Sequence, residues 1–355
     1  MYKFERLQNF TYEVLVKIGT PEHMAKEAAE VLVSADLRGI DSHGVARLIG
    51  YIRLWEAGRG NPAPQISICL ETPSTATVDG DSGLGLVVAP EAMRIAMRKA
   101  TQCGSGWVSV KNSNHFGIAG YHAMMALEED MIGIALTNAS PLVAPTFSTE
   151  RLLGTNPIAM AIPSGQEAPF VADMATTTAA NGKLEILQRK QEEAPLGWIQ
   201  GKDGQDVTDP LGVKNGGALL PLGGDREHGS HKGYALGSIV DILSAVLSGA
   251  NYGPWAPPFV SFLPLAEDPV GEGLGHFFGA MRIDAFRPAS EFKDHMDNWL
   301  RRFRSASTKS GHERVLVPGD PESELELVRR VEGIPLLDPV IKDLESIAVK
   351  FDLSL

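Results

Sequence analysis

Three short polar segments of the chain carry side chains that could transfer a proton or bind an anion. The first is DSHGVAR, residues 41–47. If a helix begins near Gly44, His43 and Arg47 lie one turn apart and share a face. A histidine able to pass a proton, next to an arginine able to clamp a carboxylate, would suit a 2-oxo or 2-hydroxy acid. The alternative is that Ser42 caps a helix beside a surface arginine.

The second segment contains a single histidine, His115, between a strand and a helix. Val108 and Val110 begin a β-branched run, a polar turn at residues 111–114 ends it, and a helical pattern starts near Ile118. Reacting groups often lie on loops at such strand ends, so His115 is a second candidate for proton transfer. A loop histidine that only packs and forms hydrogen bonds remains the alternative.

The third segment, DREHGSHKGY at residues 225–234, opens a long helix. Three of its side chains stand at three-residue steps and could act as metal ligands: Asp225, His228 and His231. Lys232, however, places a cation at a helix start, where the helix dipole disfavours it, and Gly233 allows close approach of the backbone. A bound anion such as a phosphate would offset that cost. Anion binding is the preferred interpretation, and a metal-dependent hydrolase or lyase is the alternative.

Other catalytic patterns are missing. There is no G-x-S-x-G, no Walker loop, and neither Cys69 nor Cys103 lies in a nucleophile motif. Gly83-Leu84-Gly85 has Val88 at the third glycine position and follows a polar turn, so it does not predict a Rossmann fingerprint.

Composition restricts the class of protein. The net charge of −12 argues against nucleic acid or an anionic membrane as a partner. Two cysteines in 355 residues provide no disulfide framework, which favours a reducing compartment. The sequence has no apolar run of membrane-spanning length, and its first ten residues lack the apolar region of a signal peptide. We therefore expect a soluble, cytoplasmic protein.

Helical patterns at both chain ends and short strands between them predict an α+β fold. Residues 3–60 read as three helices, with Thr20 capping the second. A helix is expected at Thr176–Lys190, a strand at Arg314–Val317, and closing helices at 321–331 and 339–351. We expect residues 1–70 to pack with 315–355 and to leave 71–314 as the cofactor-binding and catalytic domain.

Eight segments together resemble the type-2 malate/L-lactate dehydrogenase family, which is separate from the Rossmann-type dehydrogenases and includes L-sulfolactate dehydrogenases. They follow the family's order over most of the chain. The segments are DSHGVARL (41–48), NSNHFGIAGYHAMMA (112–126), GIALTNASP (133–141), LGTNPIA (153–159), ADMAT (172–176), HKGYALG (231–237), LSGANYG (247–253) and GHE (311–313).

The resemblance implies a non-Rossmann fold with a largely antiparallel or mixed sheet, a homodimer, and a nicotinamide cofactor. NAD is expected, with NADP remaining open. It implies a small 2-hydroxy or 2-oxo acid as substrate, malate/oxaloacetate or L-lactate/pyruvate first, and no metal. Cofactor contacts are expected from Asp173, Met174, Ala175, His231, Lys232, Gly233, Gly311, His312, Glu313 and Asn156.

The substrate is expected near Ser42, His43, Arg47 and His115. The resemblance leaves either histidine as the acid/base. Our hypothesis gives proton donation to His115 and carboxylate binding to Arg47, with His43 and Ser42 orienting the substrate. Two features depart from the family pattern. Residues 256–275 are unusually rich in proline, and His228 stands where an apolar residue is expected.

Overall fold

The computed structural model describes all residues, 1–355, and contains ten α-helices and ten strands. The helices are α1 Phe4–Lys17, α2 Glu22–Leu37, α3 Leu48–Glu56, α4 Gly85–Cys103, α5 Ala119–Met124, α6 Asn181–Lys190, α7 Ser230–Asp241, α8 Ala289–Arg304, α9 Asp320–Glu332 and α10 Asp338–Phe351. The strands are β1 Ser67–Glu71, β2 Thr75–Gly83, β3 Ser105–Ser113, β4 Met131–Thr137, β5 Ile158–Ile162, β6 Phe170–Met174, β7 Ile199–Gln200, β8 Asp206–Val207, β9 Ala218–Leu219 and β10 Leu274–Arg282.

One large sheet organises the middle of the chain. Its seven strands run in the order β1-β2-β3-β10-β4-β5-β6, and a small second sheet has the order β8-β7-β9. Only β2 and β3 are parallel; every other neighbouring pair is antiparallel. The right-handed crossover expected for the parallel pair is made by α4, which packs on the sheet. The expected largely antiparallel sheet is confirmed, and there is no doubly wound Rossmann arrangement.

The two largest of three hydrophobic cores hold most of the elements together. In one, helices α1 to α3 pack with α10 around Phe10, Leu32 and Tyr51, which are almost completely buried. In the other, α4 and α5 cover one face of the sheet around Met93, Phe116 and other apolar side chains. Both cores reach the segment between β3 and α5, since Phe116 belongs to the second and Tyr51 contacts the residue before it.

Several element boundaries differ from those predicted. The second helix begins at Glu22, and the Thr20 hydroxyl is buried without a partner, so it does not cap the helix. The helix predicted at 176–190 begins only at Asn181, because Thr176 and the residues after it pair with neighbouring loops. Residues 314–317 form no strand and lie as a loop beside β6.

The long helix expected to begin in the segment 225–234 is present in two parts. The α-helix ends at Asp241 and one π-helical stretch, Ile242–Val246, continues it. No helix of the chain is both long and apolar enough to cross a membrane.

Candidate active site

His115 lies between β3 and α5, as predicted, and three contacts hold its ring. The Tyr51 hydroxyl is 2.7 Å from its Nδ1 atom, and the Gly117 N–H donates to the same atom over 3.3 Å. The Phe259 ring stacks on the imidazole with a centroid distance of 4.4 Å. The turn packs closely against Gly85, since a Cβ on residue 85 would lie 2.2 Å from the Asn114 carbonyl oxygen.

This hydrogen bonding favours one neutral tautomer of His115. The Gly117 N–H can only donate, so Nδ1 is the acceptor and the ring proton lies on Nε2. The Tyr51 hydroxyl then donates to Nδ1 as well. Nε2 is left as the ring atom that can hydrogen-bond to a ligand.

A tight turn after α2 places His43 beside His115. The two rings are stacked with centroids 5.8 Å apart, and the Ser42 hydroxyl is 2.8 Å from His43 Nδ1. Residues 45–47 form a 3₁₀-helix before α3, so the α-helix expected near Gly44 begins at Leu48 instead. Ser42 bonds to the His43 ring and is not a helix cap.

A buried carboxylate lies under this turn. Asp36, on α2, accepts a hydrogen bond from the Val45 N–H over 2.8 Å. Gly44 is required there, since a Cβ would come within 2.2 Å of the Asp36 carboxylate. Burial raises the pKa of Asp36 to about 8, against the opposing effect of the Val45 hydrogen bond; Asp41 adds to the rise and Arg329 reduces it.

Arg47 is oriented by the same turn. Its Nε donates to the Ser42 carbonyl over 2.5 Å, and its Nη1 is paired with Glu185 of α6 at 2.9 Å. A guanidinium has five N–H donors, so three remain for a ligand. Gly182 keeps the space beside the guanidinium open, because a Cβ there would lie 2.7 Å from Nη2.

Burial makes both histidines weak bases. It lowers the pKa of His43 to about 3, and the neighbouring Arg47 lowers it further in the same direction. Burial also holds the pKa of His115 well below its usual range, with smaller contributions from the charges of His43 and Arg47. The sequence predicts an imidazole that titrates near pH 6–7, whereas in this structure both rings are neutral at that pH.

These side chains converge on one small cavity of about 60 Å³. Its walls come from six parts of the chain: the 43–47 turn, the β3–α5 turn, the loop after β4, the loop before β5, the start of α6, and residues 259–260. The lining residues are His43, Arg47, His115, Ala139, Ser140, Leu142, Thr155, Ala180, Asn181, Gly182, Phe259 and Val260. Three of the four predicted catalytic residues therefore line a common space, and Ser42 is bonded to its edge.

A second cavity, of about 340 Å³, is lined by a half-buried carboxylate. Asp173 and Met174 of β6 line it together with residues 316–319 and Glu322. Asp173 accepts one backbone hydrogen bond, from Gly120 over 2.8 Å, and its other oxygen has no partner. Burial raises its pKa to about 6. A carboxylate with free acceptor capacity in a half-apolar cavity fits the ribose of a dinucleotide, whose hydroxyls donate to such groups.

Most of the remaining predicted cofactor residues lie in three places: directly after β6, in the first turn of α7 and in the turn 311–313. Ala175 leads to Thr176, whose N–H donates to the Thr155 carbonyl at the wall of the histidine cavity. The Thr176 carbonyl accepts a hydrogen bond from the Leu222 N–H. Gly233 of α7 packs closely against Leu222. The turn 311–313 precedes the loop that lines the Asp173 cavity, and it is exposed.

Several of these residues have contacts that were not foreseen. Asn156 is completely buried and both ends of its amide bond to protein, to Ala139 and Gly237, so the side chain braces a loop. Gly233 is needed because a Cβ would lie 2.3 Å from the Leu222 carbonyl oxygen. His231 is hydrogen-bonded to Arg226, and Lys232 is exposed.

The metal-site alternative fails on geometry. His228 bonds to Asp225 over 2.7 Å, which raises the pKa of this exposed histidine, while His231 turns to Arg226. Asp225, His228 and His231 do not converge, and no group of three or more His, Cys, Asp or Glu could hold a metal ion.

Sequence reasoning missed Tyr51, Phe259, Asp36 and Glu185. Tyr51 lies one turn after Arg47, and the helical period could have placed both on the face towards His115. Phe259 lies in the proline-rich stretch, whose position cannot be inferred from local pattern. Asp36 resembles any charged residue on an amphipathic helix, and only the three-dimensional structure shows it buried.

Comparison with known proteins gives one consistent result. A family model described as malate/L-lactate dehydrogenase matches residues 2–345. Malate dehydrogenase of Pyrococcus abyssi is 45% identical over 345 residues, 97% of this chain and 93% of that protein. L-sulfolactate dehydrogenase of Methanocaldococcus jannaschii is 38% identical over 353 residues, 99% of this chain and 98% of that protein. The structure of malate dehydrogenase from Pyrococcus horikoshii OT3, 41% identical, superimposes with a TM-score of 0.90 over 99% of this chain and 96% of that one.

Proposed function

Because the chain belongs to the malate/L-lactate dehydrogenase family and is a dehydrogenase acting on CH–OH groups, we propose that its substrates are a small 2-hydroxy acid and the corresponding 2-oxo acid. Malate/oxaloacetate and L-lactate/pyruvate are the preferred pairs. The observation that carries the proposal is the convergence of His43, Arg47 and His115 on one small cavity. Proton transfer and carboxylate binding are the two tasks that this reaction requires of the protein.

Arg47 holds the substrate carboxylate through the N–H groups that Ser42 and Glu185 leave free. This fixes C2 beside His115, and such positioning can supply a large part of the rate enhancement. The nicotinamide, when bound, exchanges a hydride with C2. His115 gives a proton to the C2 oxygen during reduction and removes it during oxidation, while Tyr51 holds the ring in place through Nδ1.

The low pKa of His115 makes substrate binding and proton uptake interdependent. Oxidation of the hydroxy acid requires the neutral imidazole with its proton moved to Nδ1, where it is donated to the Tyr51 hydroxyl, so that Nε2 can accept the proton of the substrate. For reduction, the ring must be protonated before it can donate. The negative charge of a bound 2-oxo acid favours that protonation, since an opposite charge within about 4–6 Å raises a histidine pKa.

The cofactor in this proposal extends from the Asp173 cavity to the histidines along residues 173–176. NAD is preferred over NADP because Asp173 and Glu322 both line that cavity and would repel a 2′-phosphate. The only cation of the lining, Arg38, is already paired with Glu326 at 3.1 Å. Lys232, beside the first turn of α7, is the proposed partner for a cofactor phosphate.

A homodimer completes the proposal. α7 and the π-helical turn after it carry an apolar stripe that faces solvent, which is unusual for a helix in the middle of a chain. The exposed members are Tyr234, Ile239, Ile242, Val246 and Leu247. In this proposal the stripe packs against the same stripe of a second copy of the chain. A two-fold axis, the commonest symmetry of soluble oligomers, relates the two copies.

Absorbance at 340 nm tests the reaction directly. NADH and NADPH are each mixed with oxaloacetate, pyruvate, sulfopyruvate, 2-oxoglutarate or a cyclic imine. Oxidation of NADH with at least one 2-oxo acid is expected, with EDTA having no effect. No turnover with any pair would refute the proposal, and activity lost to EDTA but restored by zinc would require a metal mechanism instead.

A further inference from the structure

One arginine of the C-terminal helices reaches the turn that carries two of the proposed catalytic residues. Arg329 lies in the last turn of α9, 288 residues after Asp41. It is only 7% exposed, and its guanidinium contacts the segment 39–44, which connects α2 to the 3₁₀-helix before α3. The mechanism described above gives this buried cation no role.

The guanidinium of Arg329 makes a two-pronged contact with Asp41. Its Nη1 and Nη2 donate to Oδ1 and Oδ2 of that carboxylate, the second over 3.2 Å. Nη1 also donates to the backbone carbonyl of Asp36 near the end of α2. Neither Arg329 nor Asp41 has another ion-pair partner. One planar side chain therefore ties the end of α2 and Asp41 together with bonds of fixed direction.

The segment 39–44 has little hydrogen bonding of its own. The backbone N–H groups of Asp41, Ser42 and Gly44 donate to no other residue. Arg329 is the only residue outside 36–47 that hydrogen-bonds to this segment. The position of the segment therefore depends strongly on the contact between Arg329 and Asp41.

Asp41 directly precedes the residue that orients both neighbouring candidate side chains. The Ser42 hydroxyl is 2.8 Å from His43 Nδ1, and the Ser42 carbonyl accepts from Arg47 Nε over 2.5 Å. A shift of Ser42 would thus move the imidazole and the guanidinium together. Misplacement of reacting or binding groups by about 1 Å can lower a rate by about 10²-fold.

Stability alone does not account for the ion pair. Burying a guanidinium costs desolvation free energy that its attraction to a carboxylate often does not exceed. The Asp41 side chain is 43% exposed, so solvent screens the attraction further. An apolar side chain would hold α9 as well, as Leu325 does where it packs against Gly39. What the pair adds is direction, because a planar fork fixes where a carboxylate lies.

We propose that Arg329 is a positioning residue of the reaction: through Asp41 it holds Ser42 where the Ser42 hydroxyl and carbonyl aim His43 and Arg47 into the histidine cavity. This inference rests on the proposed function, because it takes that cavity as the substrate site. Arg329 does not line the cavity and does not touch the substrate. Its loss should therefore impair the use of the substrate and leave cofactor binding unchanged.

Steady-state kinetics of Arg329→Gln and Arg329→Lys with a 2-oxo acid test the role. In Arg329→Gln, kcat/KM should fall about 10- to 100-fold, the range for losing a hydrogen bond between charged groups, while the NADH dissociation constant stays unchanged. Arg329→Lys keeps the charge without the fork and should recover part of the loss. Arg330→Gln is the matched control and should equal the wild type, since Arg330 is the next residue of α9, 46% exposed and paired with Glu326 of the same helix.

A double-mutant cycle with Asp41→Asn separates positioning from a general loss of structure. Asp41→Asn should lower kcat/KM as much as Arg329→Gln does, and the double variant should be no worse, because both changes remove one contact. Additive losses would overturn the inference, and so would a lower free energy of unfolding with kcat/KM of the folded enzyme unchanged. Since the Asp41 side chain reaches the surface, Asp41→Asn decides the question even if Arg329→Gln does not fold.

Hydrogen exchange followed by mass spectrometry gives a second readout that needs no turnover. In Arg329→Gln, the hydrogen-bonded amides of residues 39–47 should exchange at least about tenfold faster than in the wild type, while those of α4 keep their protection. If the wild type turned over no 2-oxo acid, the proposed function would fail and this measurement would still decide whether Arg329 holds the segment. Equal protection of residues 39–47 in both proteins would overturn the inference.

Discussion

The Tyr51 hydroxyl lies 2.7 Å from Nδ1 of His115 and joins helix α3 to the turn between β3 and α5. The same helix begins directly after Arg47. In the proposed mechanism, one rigid element therefore sets both the group that binds the substrate carboxylate and the partner that orients the proton donor. The distance between these two functions is fixed by helical geometry and does not depend on a flexible loop.

The pH dependence of the two reaction directions should differ. Since the pKa of His115 lies well below 6.5, the protonated fraction of the free enzyme falls tenfold for each pH unit above it. For 2-oxo acid reduction, log kcat/KM should decline with a slope near −1 from pH 6 to 9, without a plateau. For hydroxy acid oxidation it should stay flat over that range. His115→Ala should lower kcat by roughly 10²–10⁴ and remove the slope. If His43→Ala removes the slope and His115→Ala keeps it, the two roles are exchanged.

Replacing Arg47 by lysine should damage substrate binding although the charge is kept. Lysine lacks the planar fork that holds a carboxylate with two parallel bonds. We expect KM for the 2-oxo acid to rise about 10- to 100-fold, the range for losing a hydrogen bond to a charged group. Cofactor affinity should not change. Arg302→Lys on α8 serves as the control, and an unchanged KM in Arg47→Lys would exclude bidentate binding there.

Lys232 should matter for the cofactor and not for the substrate. Its ammonium lies by the first turn of α7, where the helix dipole opposes a cation and a bound phosphate would offset that cost. Lys232→Ala should weaken NADH binding several-fold in calorimetry, with Lys342→Ala of α10 as the comparison. The same NADH affinity in both variants would remove Lys232 from the site.

Asp36 should make stability depend on pH. Its pKa is raised from 3.8 to about 8 in the folded protein, so the folded state retains a proton that the unfolded state releases between those values. Its contribution to stability is therefore full below about pH 4 and is lost as pH rises through 8. Asp41 and Arg329 are the charged groups that act on it.

Asp36→Asn should cancel this loss, because the amide stays neutral and can still accept from Val45. Urea unfolding at pH 5 and pH 8 measures this effect. Relative to wild type, the free energy of unfolding of Asp36→Asn should be higher at pH 8 than at pH 5. Asp294→Asn, an exposed carboxylate on α8, should show no such gain. An equal difference from wild type at both pH values would mean that Asp36 is ionised throughout.

Ile242→Glu should give a monomer. The residue is 53% exposed in the middle of the apolar stripe, and burying a carboxylate in a two-fold interface would oppose two like charges. Light scattering after size-exclusion chromatography reports the mass. Val349→Glu, at an 84% exposed position on α10, should remain dimeric. A monomeric wild type, or a dimeric Ile242→Glu, would rule out this interface.

The sequence was a good guide where local pattern determines the outcome. The α+β class, the family, and the strand-to-helix position of His115 are all confirmed. It could not show that Asp36 is buried under Gly44, because burial results from the packing of α2 against a turn and leaves no periodic trace. Nor could it place Phe259 over His115, which lies 144 residues earlier, since proline-rich chain follows tertiary contacts and has no regular period. The expectation of a titration near pH 6–7 likewise took no account of burial, which lowers the pKa of both histidines.

The central place of β10 has a consequence for biosynthesis. This strand lies between β3 and β4, although it is made long after both. Until residue 282 leaves the ribosome, the inner edges of β3 and β4 have no partner and expose unpaired backbone groups. The 145 residues between the end of β4 and the end of β10 take roughly 7–30 s to translate at about 5–20 residues per second. Exposed strand edges of this kind favour aggregation, so we expect fragments that end before β10 not to fold.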